Sequence, residues 1–160
     1  MKTLYTILLF FVSITINAQK VTNFRLPNSQ NKNTTYLELK GEKLTVIDFW
    51  ATWCKPCIKA IPELNKVYEK FKDQGVSFIS INCDGPRSIA KAVPMSNSLK
   101  IAFPLLLDIN SEVKNQLNLA AFPSLVIVNA AGKIVFIHEG FADGYEEEIS
   151  QALEKQLKEI

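Results

Sequence analysis

One stretch dominates the chain: the 28 residues from Leu44 to Phe71. It opens with Leu44-Thr-Val-Ile-Asp-Phe-Trp50, an apolar, β-branched and aromatic run of strand character. It closes with Ile58 to Phe71, where apolar residues at 58, 61, 64, 68 and 71 keep helical spacing. Between them lies Ala51-Thr-Trp-Cys54-Lys-Pro-Cys57. Residues three apart on a first helical turn share a face. That suits a disulfide, which needs Cα atoms roughly 4.4–6.8 Å apart. Cys54 and Cys57 can therefore close or open a bond with little backbone movement. The spacing alone is also half of a zinc site.

The placement bears on reactivity. A helix start carries unpaired N–H groups and partial positive charge, and both favour thiolate over thiol. Cysteines in such places are more acidic than the ordinary thiol. Cys54 comes first, so it is expected to be the more exposed and the more acidic, with Lys55 adding a nearby positive charge. Cys57, one turn in, is expected to be shielded and to act second. The chemistry that follows is attack by Cys54 on a disulfide and resolution by Cys57. Pro56 suits the first helical turn. Asp48 sits in the strand six residues before Cys54. A charge buried there is costly, so its pKa should rise, and it could then accept the Cys57 proton.

Val46-Ile-Asp-Phe-Trp-Ala-Thr-Trp-Cys-Lys-Pro-Cys57 resembles the active-site segment of thioredoxins. From about Phe24 to Leu157 the chain is similar to the extracytoplasmic thioredoxin-like reductases of the TlpA/ResA type. The resemblance implies an α/β thioredoxin-like fold: a central mixed β-sheet flanked by helices, with an N-terminal β-hairpin extension. Asp48 matches the buried aspartate of thioredoxins, and in this the chain departs from ResA-type members, which carry other residues there. Pro62 matches a helix proline of thioredoxins and is read as a kink, not an end. Pro123 falls where thioredoxins have a cis-proline facing the cysteines. Phe122 is larger than the residue usual before that proline. Trp53, Lys55, Pro56, Phe122 and Pro123 are the implied substrate-binding residues. The dipeptide has no histidine, unlike strong oxidants of the DsbA type, so a reducing protein is expected, below roughly −200 mV.

Elsewhere the chain reads as one domain, residues 20–160, behind a leader. Residues 1–19 carry Lys2, an apolar Leu4–Ile16 core and Ala18, the pattern of a cleaved signal peptide. The core is short of the ~20 residues that span a bilayer. Export to the periplasm or cell envelope follows from that reading. Phe24 to Leu26 and Thr34 to Leu37 read as two short strands joined by a turn. Val76 to Gly85 is a strand, with Cys83 read as a buried core thiol. Residues 86–101 leave open one helix containing Pro94 or two short ones. Phe103–Asp108 reads as a strand, Ser111–Leu117 as a helix capped by Ser111. A hairpin follows over 124–138, with His138 read as structural, then an amphipathic helix over 141–157.

A net charge of +2 gives no electrostatic case for nucleic acid. Three cysteines are too few for a disulfide-rich scaffold. No cofactor is expected beyond the redox-active Cys54–Cys57 pair, and no metal. The partners implied are protein disulfides and a membrane electron donor, and the chain is expected to act as a monomer. Two other classes compete: a Cu(I)- or Zn(II)-binding metallochaperone, since thiolates suit both ions, and a redox-inert interaction module. The first lacks ligands beyond two thiols and one imidazole. The second would have lost a cysteine. No threonine-containing peroxidatic motif surrounds either cysteine, which speaks against hydroperoxide reduction.

Overall fold

The computed structural model describes residues 19–160. The leader reading therefore lies outside the described residues, except at Gln19. At the centre is β3 (Leu44–Trp50), buried along its whole length. It lies parallel to β4 (Val76–Asn82) and antiparallel to β6 (Ser124–Asn129). A short β5 (Leu105–Leu107) adds parallel to β4, and β7 (Ile134–Glu139) adds antiparallel to β6. The five-stranded mixed sheet thus runs β5-β4-β3-β6-β7. Strands covered on both faces read as near-continuous apolar runs, which is how β3, β4 and β6 appear in the sequence.

Alternation along β3 sorts its side chains to two layers. Leu44 and Val46 pack with Ala60, Leu64, Val67 and Phe71 of α2 (Lys55–Phe71) and with Ile149 and Leu153 of α5 (Tyr145–Lys158). Ile47 and Phe49 face the other way. They meet Val113 and Leu117 on the α4 side (Glu112–Gln116), and Phe24, Leu26 and Tyr36 from the N-terminal extension. Each such large apolar side chain contributes roughly 1.5–3 kcal/mol by leaving water. α2 runs unbroken through Pro62.

The extension is the expected hairpin, β1 (Arg25–Pro27) against β2 (Asn33–Thr35), and it is packed, not a linker. The second strand is shorter than expected. Tyr36–Leu39 forms a helical turn, α1, where the sequence reads as strand through Leu37. Glu38 reaches back and accepts from both the Thr35 backbone N–H (2.6 Å) and its hydroxyl (2.7 Å), which fixes a helix start. Tyr36 then turns inward onto Phe24, ring centroids 5.5 Å apart.

In the open segment 86–101, a 3-10 turn (Ile89–Lys91) feeds α3 (Ala92–Ser98). Pro94 is the third residue of α3, within the first turn, where its missing N–H is not needed. Ser111 does not cap α4. Its backbone is left-handed (φ 55°) and its side chain makes no cap bond. Asp108 does the capping, accepting from Glu112 N (2.8 Å), Val113 N (3.0 Å) and Lys114 N (3.2 Å). A carboxylate three residues upstream outcompetes the nearer hydroxyl because it can accept several N–H groups at the positive end of the helix. No described helix is long and apolar enough to cross a membrane.

Candidate active site

The C-terminal end of β3 delivers Trp50 to a three-residue turn, and Cys54 is the N-cap of α2. The turn is held from β4. Asp84 Oδ1 accepts the Thr52 backbone N–H (3.0 Å), and Cys83 N donates to Trp50 O (2.8 Å). Trp50 donates its indole N–H to Ser80 Oγ (2.7 Å). Thus the segment that presents the cysteines is fastened at three points to β4 and the two residues after it.

Cys54 and Cys57 are joined as a disulfide with Cα atoms 5.3 Å apart. Cys54 Sγ accepts the backbone N–H of Cys57 at 3.2 Å. That bond takes the place a Ser or Asp oxygen has at an ordinary N-cap, and it stabilises negative charge on Cys54 sulfur. Both residues are buried, Cys54 at 4% exposure and Cys57 at 0%. The order is the expected one, but Cys54 offers only a narrow opening. Trp50, Ala51, Ile61 and Leu105 pack around the pair, with Phe122 and the α3 side chains Val93 and Met95 at its edge. Segment 86–101 therefore walls the site.

Asp48 lies between Ser80 of β4 and Leu125 of β6 in the sheet register. By alternation it shares the α2 face with Val46. It is 1% exposed, and its Oδ2 has no hydrogen-bond partner. Burial pushes its carboxyl up to about 7.

The second wall is the loop 118–123. The Phe122–Pro123 peptide bond is cis. Phe122 meets Trp53 edge-on, centroids 5.5 Å apart at 84°. Trp53 itself is 62% exposed, the largest exposed aromatic surface here. Lys55 and Pro56 are exposed on the first turn of α2. Of the five residues expected to face a substrate, Trp53, Lys55 and Pro56 are exposed, Phe122 is half-buried against Trp53 and Pro123 is buried; Asp48 lies on the α2 face of β3.

Asp84, which the sequence reads as a poor match to an active-site glutamate of some ResA-type proteins, instead holds the cysteine turn. Three further polar residues, Asp108, Lys114 and Glu139, have no role in the sequence reading. Lys114 is three residues before inward-facing Leu117, which places it at the margin of a buried face; that was the available signal. Cys83 is buried, and burial pushes its thiol well above the ordinary range. His138 pairs with Glu148 (3.0 Å) and packs on Tyr145, a structural setting. Among the described residues no group of three or more metal-ligating side chains gathers.

The model of the AhpC/TSA family matches residues 18–137. The chain is 34% identical over 118 residues to the thiol-disulfide oxidoreductase ResA of Bacillus subtilis (strain 168), covering 74% of this chain and 64% of that protein. It is 30% identical over 142 residues to the thiol-disulfide oxidoreductase ResA of Bacillus anthracis, covering 89% and 77%. Among solved structures it is similar to an uncharacterised thioredoxin-like protein from Porphyromonas gingivalis, with a TM-score of 0.73 at 30% identity over 87% of this chain and 92% of that one. The fold, the paired cysteines and these relatives agree: the chain belongs to the AhpC/TSA family, as a thioredoxin-like thiol-disulfide oxidoreductase.

Proposed function

We propose that the protein is a reductase of protein disulfides outside the cytosol. The observation that carries the reading is the Cys54 sulfur at the N-cap of α2, accepting the Cys57 N–H, with a buried and unpartnered Asp48 behind the pair. Cys54 thiolate attacks one sulfur of the substrate disulfide. The other substrate sulfur leaves as a thiolate, and a mixed disulfide forms. Asp48 carboxylate then takes the Cys57 proton. Cys57 sulfur attacks Cys54 sulfur, which frees the second substrate thiolate and closes the Cys54–Cys57 disulfide. Two electrons pass from the pair to the substrate, and a membrane dithiol donor returns them. Trp53 and Phe122 supply an apolar rim for the substrate chain. The Phe122 backbone pairs with it as an added strand, and Lys55, Pro56 and Pro123 complete the contact.

The leader over 1–19 supports export to the periplasm or cell envelope. A near-neutral net charge gives no handle for nucleic acid. The direction of electron flow is tested by equilibrating the mature protein with dithiothreitol or glutathione buffers. A potential below roughly −200 mV is expected, and one near roughly −120 mV would reverse the direction. In the same material Cys54→Ser should abolish disulfide reduction, and Cys57→Ser should accumulate mixed disulfides. Full reduction by Cys54→Ser would remove Cys54 as nucleophile.

A further inference from the structure

The loop 118–123 carries Phe122 and Pro123 between α4 and β6, and it has no ladder hydrogen bonds of its own. Two charged side chains hold it from opposite flanks. From α4, Lys114 donates its ammonium to Leu119 O and lies 4.9 Å from the centroid of the Phe122 ring. From the end of β7, Glu139 Oε1 accepts Ala120 N–H (2.7 Å) and Ala121 N–H (3.1 Å). These bonds hold the Glu139 carboxyl below the ordinary carboxylate range. One step further along, Gly140 N donates to Pro123 O (2.8 Å).

Lys114 is the more telling of the two. It is 8% exposed, and among the described residues its ammonium has no carboxylate within 4.0 Å. A buried ammonium is costly unless its donors are used. Here they are turned on the loop: one carbonyl and one aromatic face. Phe122 in turn meets exposed Trp53 edge-on. Lys114, Phe122 and Trp53 therefore form a short stack that joins α4 to the cysteine turn through the substrate-facing loop. A helix whose lysine served only solubility would leave it in water.

We propose that Lys114 and Glu139 are positioning residues that clamp the 119–123 loop and set the Phe122 ring against Trp53, fixing the width of the groove that receives an extended peptide beside Cys54. The proposal rests on the disulfide-exchange reading above and deepens it. Neither residue touches the reacting sulfurs, so the effect belongs to substrate binding more than to chemistry. Small disulfides reach Cys54 without lying along the loop.

The test uses the mature protein with Lys114→Met, Lys114→Arg, Glu139→Ala and two substrates, an extended peptide containing a disulfide and cystine. Lys114→Met keeps the volume and loses the charge, so kcat/KM for the peptide should fall roughly tenfold, carried by KM. The fall for cystine should be much smaller, and Lys114→Arg should restore most of the loss. Glu139→Ala should show the same split. Nuclear Overhauser contacts between the Trp53 indole and the Phe122 ring should weaken in Lys114→Met and Glu139→Ala and persist in Lys114→Arg. Equal losses on peptide and cystine, or unchanged ring contacts in both charge-deleting variants, overturn the clamp. A wild-type protein that reduces neither disulfide sinks the reductase reading instead, and the ring contacts still decide the clamp.

Discussion

Asp48 and Asp108 are the same residue type at the same exposure, 1% each. Asp108 follows β5 and accepts three backbone N–H groups at the start of α4. Burial raises its carboxyl, and those three bonds pull back against the rise. Asp48 stands in β3 with one carboxylate oxygen bonded to nothing, and burial alone carries it to about 7. Neither meets solvent, but Asp48 lies deeper, in the central strand, and unlike Asp108 it has no hydrogen-bond donors to offset its burial. A partnered buried carboxylate holds a helix in place. An unpartnered one is easily made to change charge, which is what a proton acceptor beside a thiol needs.

The largest effect that would sharpen this contrast is at Asp48. Asp48→Asn should slow resolution of the mixed disulfide by roughly a hundredfold while Cys54 still reacts, read by stopped-flow turnover against alkylation rate. The same variant should change the pH dependence of stability. The folded carboxyl holds its proton more tightly than the unfolded one, so wild-type stability falls as pH rises from about 4 to about 7 and is level above. Removing the group should flatten that fall and gain roughly 1–4 kcal/mol near pH 8, in denaturant titrations of the oxidised protein. An unaltered slope would mean that Asp48 is solvated.

Next in size is Asp108→Ala, which should cost about 2–3 kcal/mol, since it strips the cap from α4. Resolution should proceed at the wild-type rate once the folded fraction is allowed for. A slowed resolution would erase the distinction between the two aspartates. The smallest effect is expected at Cys83, whose sulfur lies 4.0 Å from Asp108 Oδ2. Cys83→Ala should cost about 1 kcal/mol and leave exchange unaltered. Thiol titration of the reduced wild type should give one fast group, Cys54, a slower one, Cys57, and a third, Cys83, that reacts only on unfolding.

The parts of the site that the sequence declared are those whose partners are close along the chain. Strand, turn and helix from Leu44 to Phe71 carry their own periodicity, so the cysteines at a helix start and Asp48 in the strand before them were legible. Burial of Asp48 followed from an apolar strand on both sides of it. Residues whose roles depend on distant segments were not legible. Ser111 looked like the cap because it is adjacent, while Asp108 reaches the helix only after the chain turns through a left-handed residue. Thr35 and Glu38 have capping-box spacing, yet Thr34 to Leu37 reads as strand, because two threonines and a tyrosine also suit one. Lys114 reads as one more solvated charge until α4 is laid against the 118–123 loop. Glu139 gains its meaning only from its register opposite Ser124.

The N-terminal segment is tied by its backbone to the turn between β6 and β7. Val21 N donates to Gly132 O (2.9 Å), and Gln19 O accepts from Ile134 N (3.0 Å), at the β6–β7 turn. That turn lies beside Leu44, since Asn129 is the register partner of Leu44. The cysteines lie past Trp50, at the far end of the seven residues of β3, about 20 Å away. The domain therefore has a mooring pole and a working pole. Lys20, the first residue of the expected mature chain, bridges to Lys133 at the mooring pole, so the chain enters the fold at the end of the sheet opposite the disulfide.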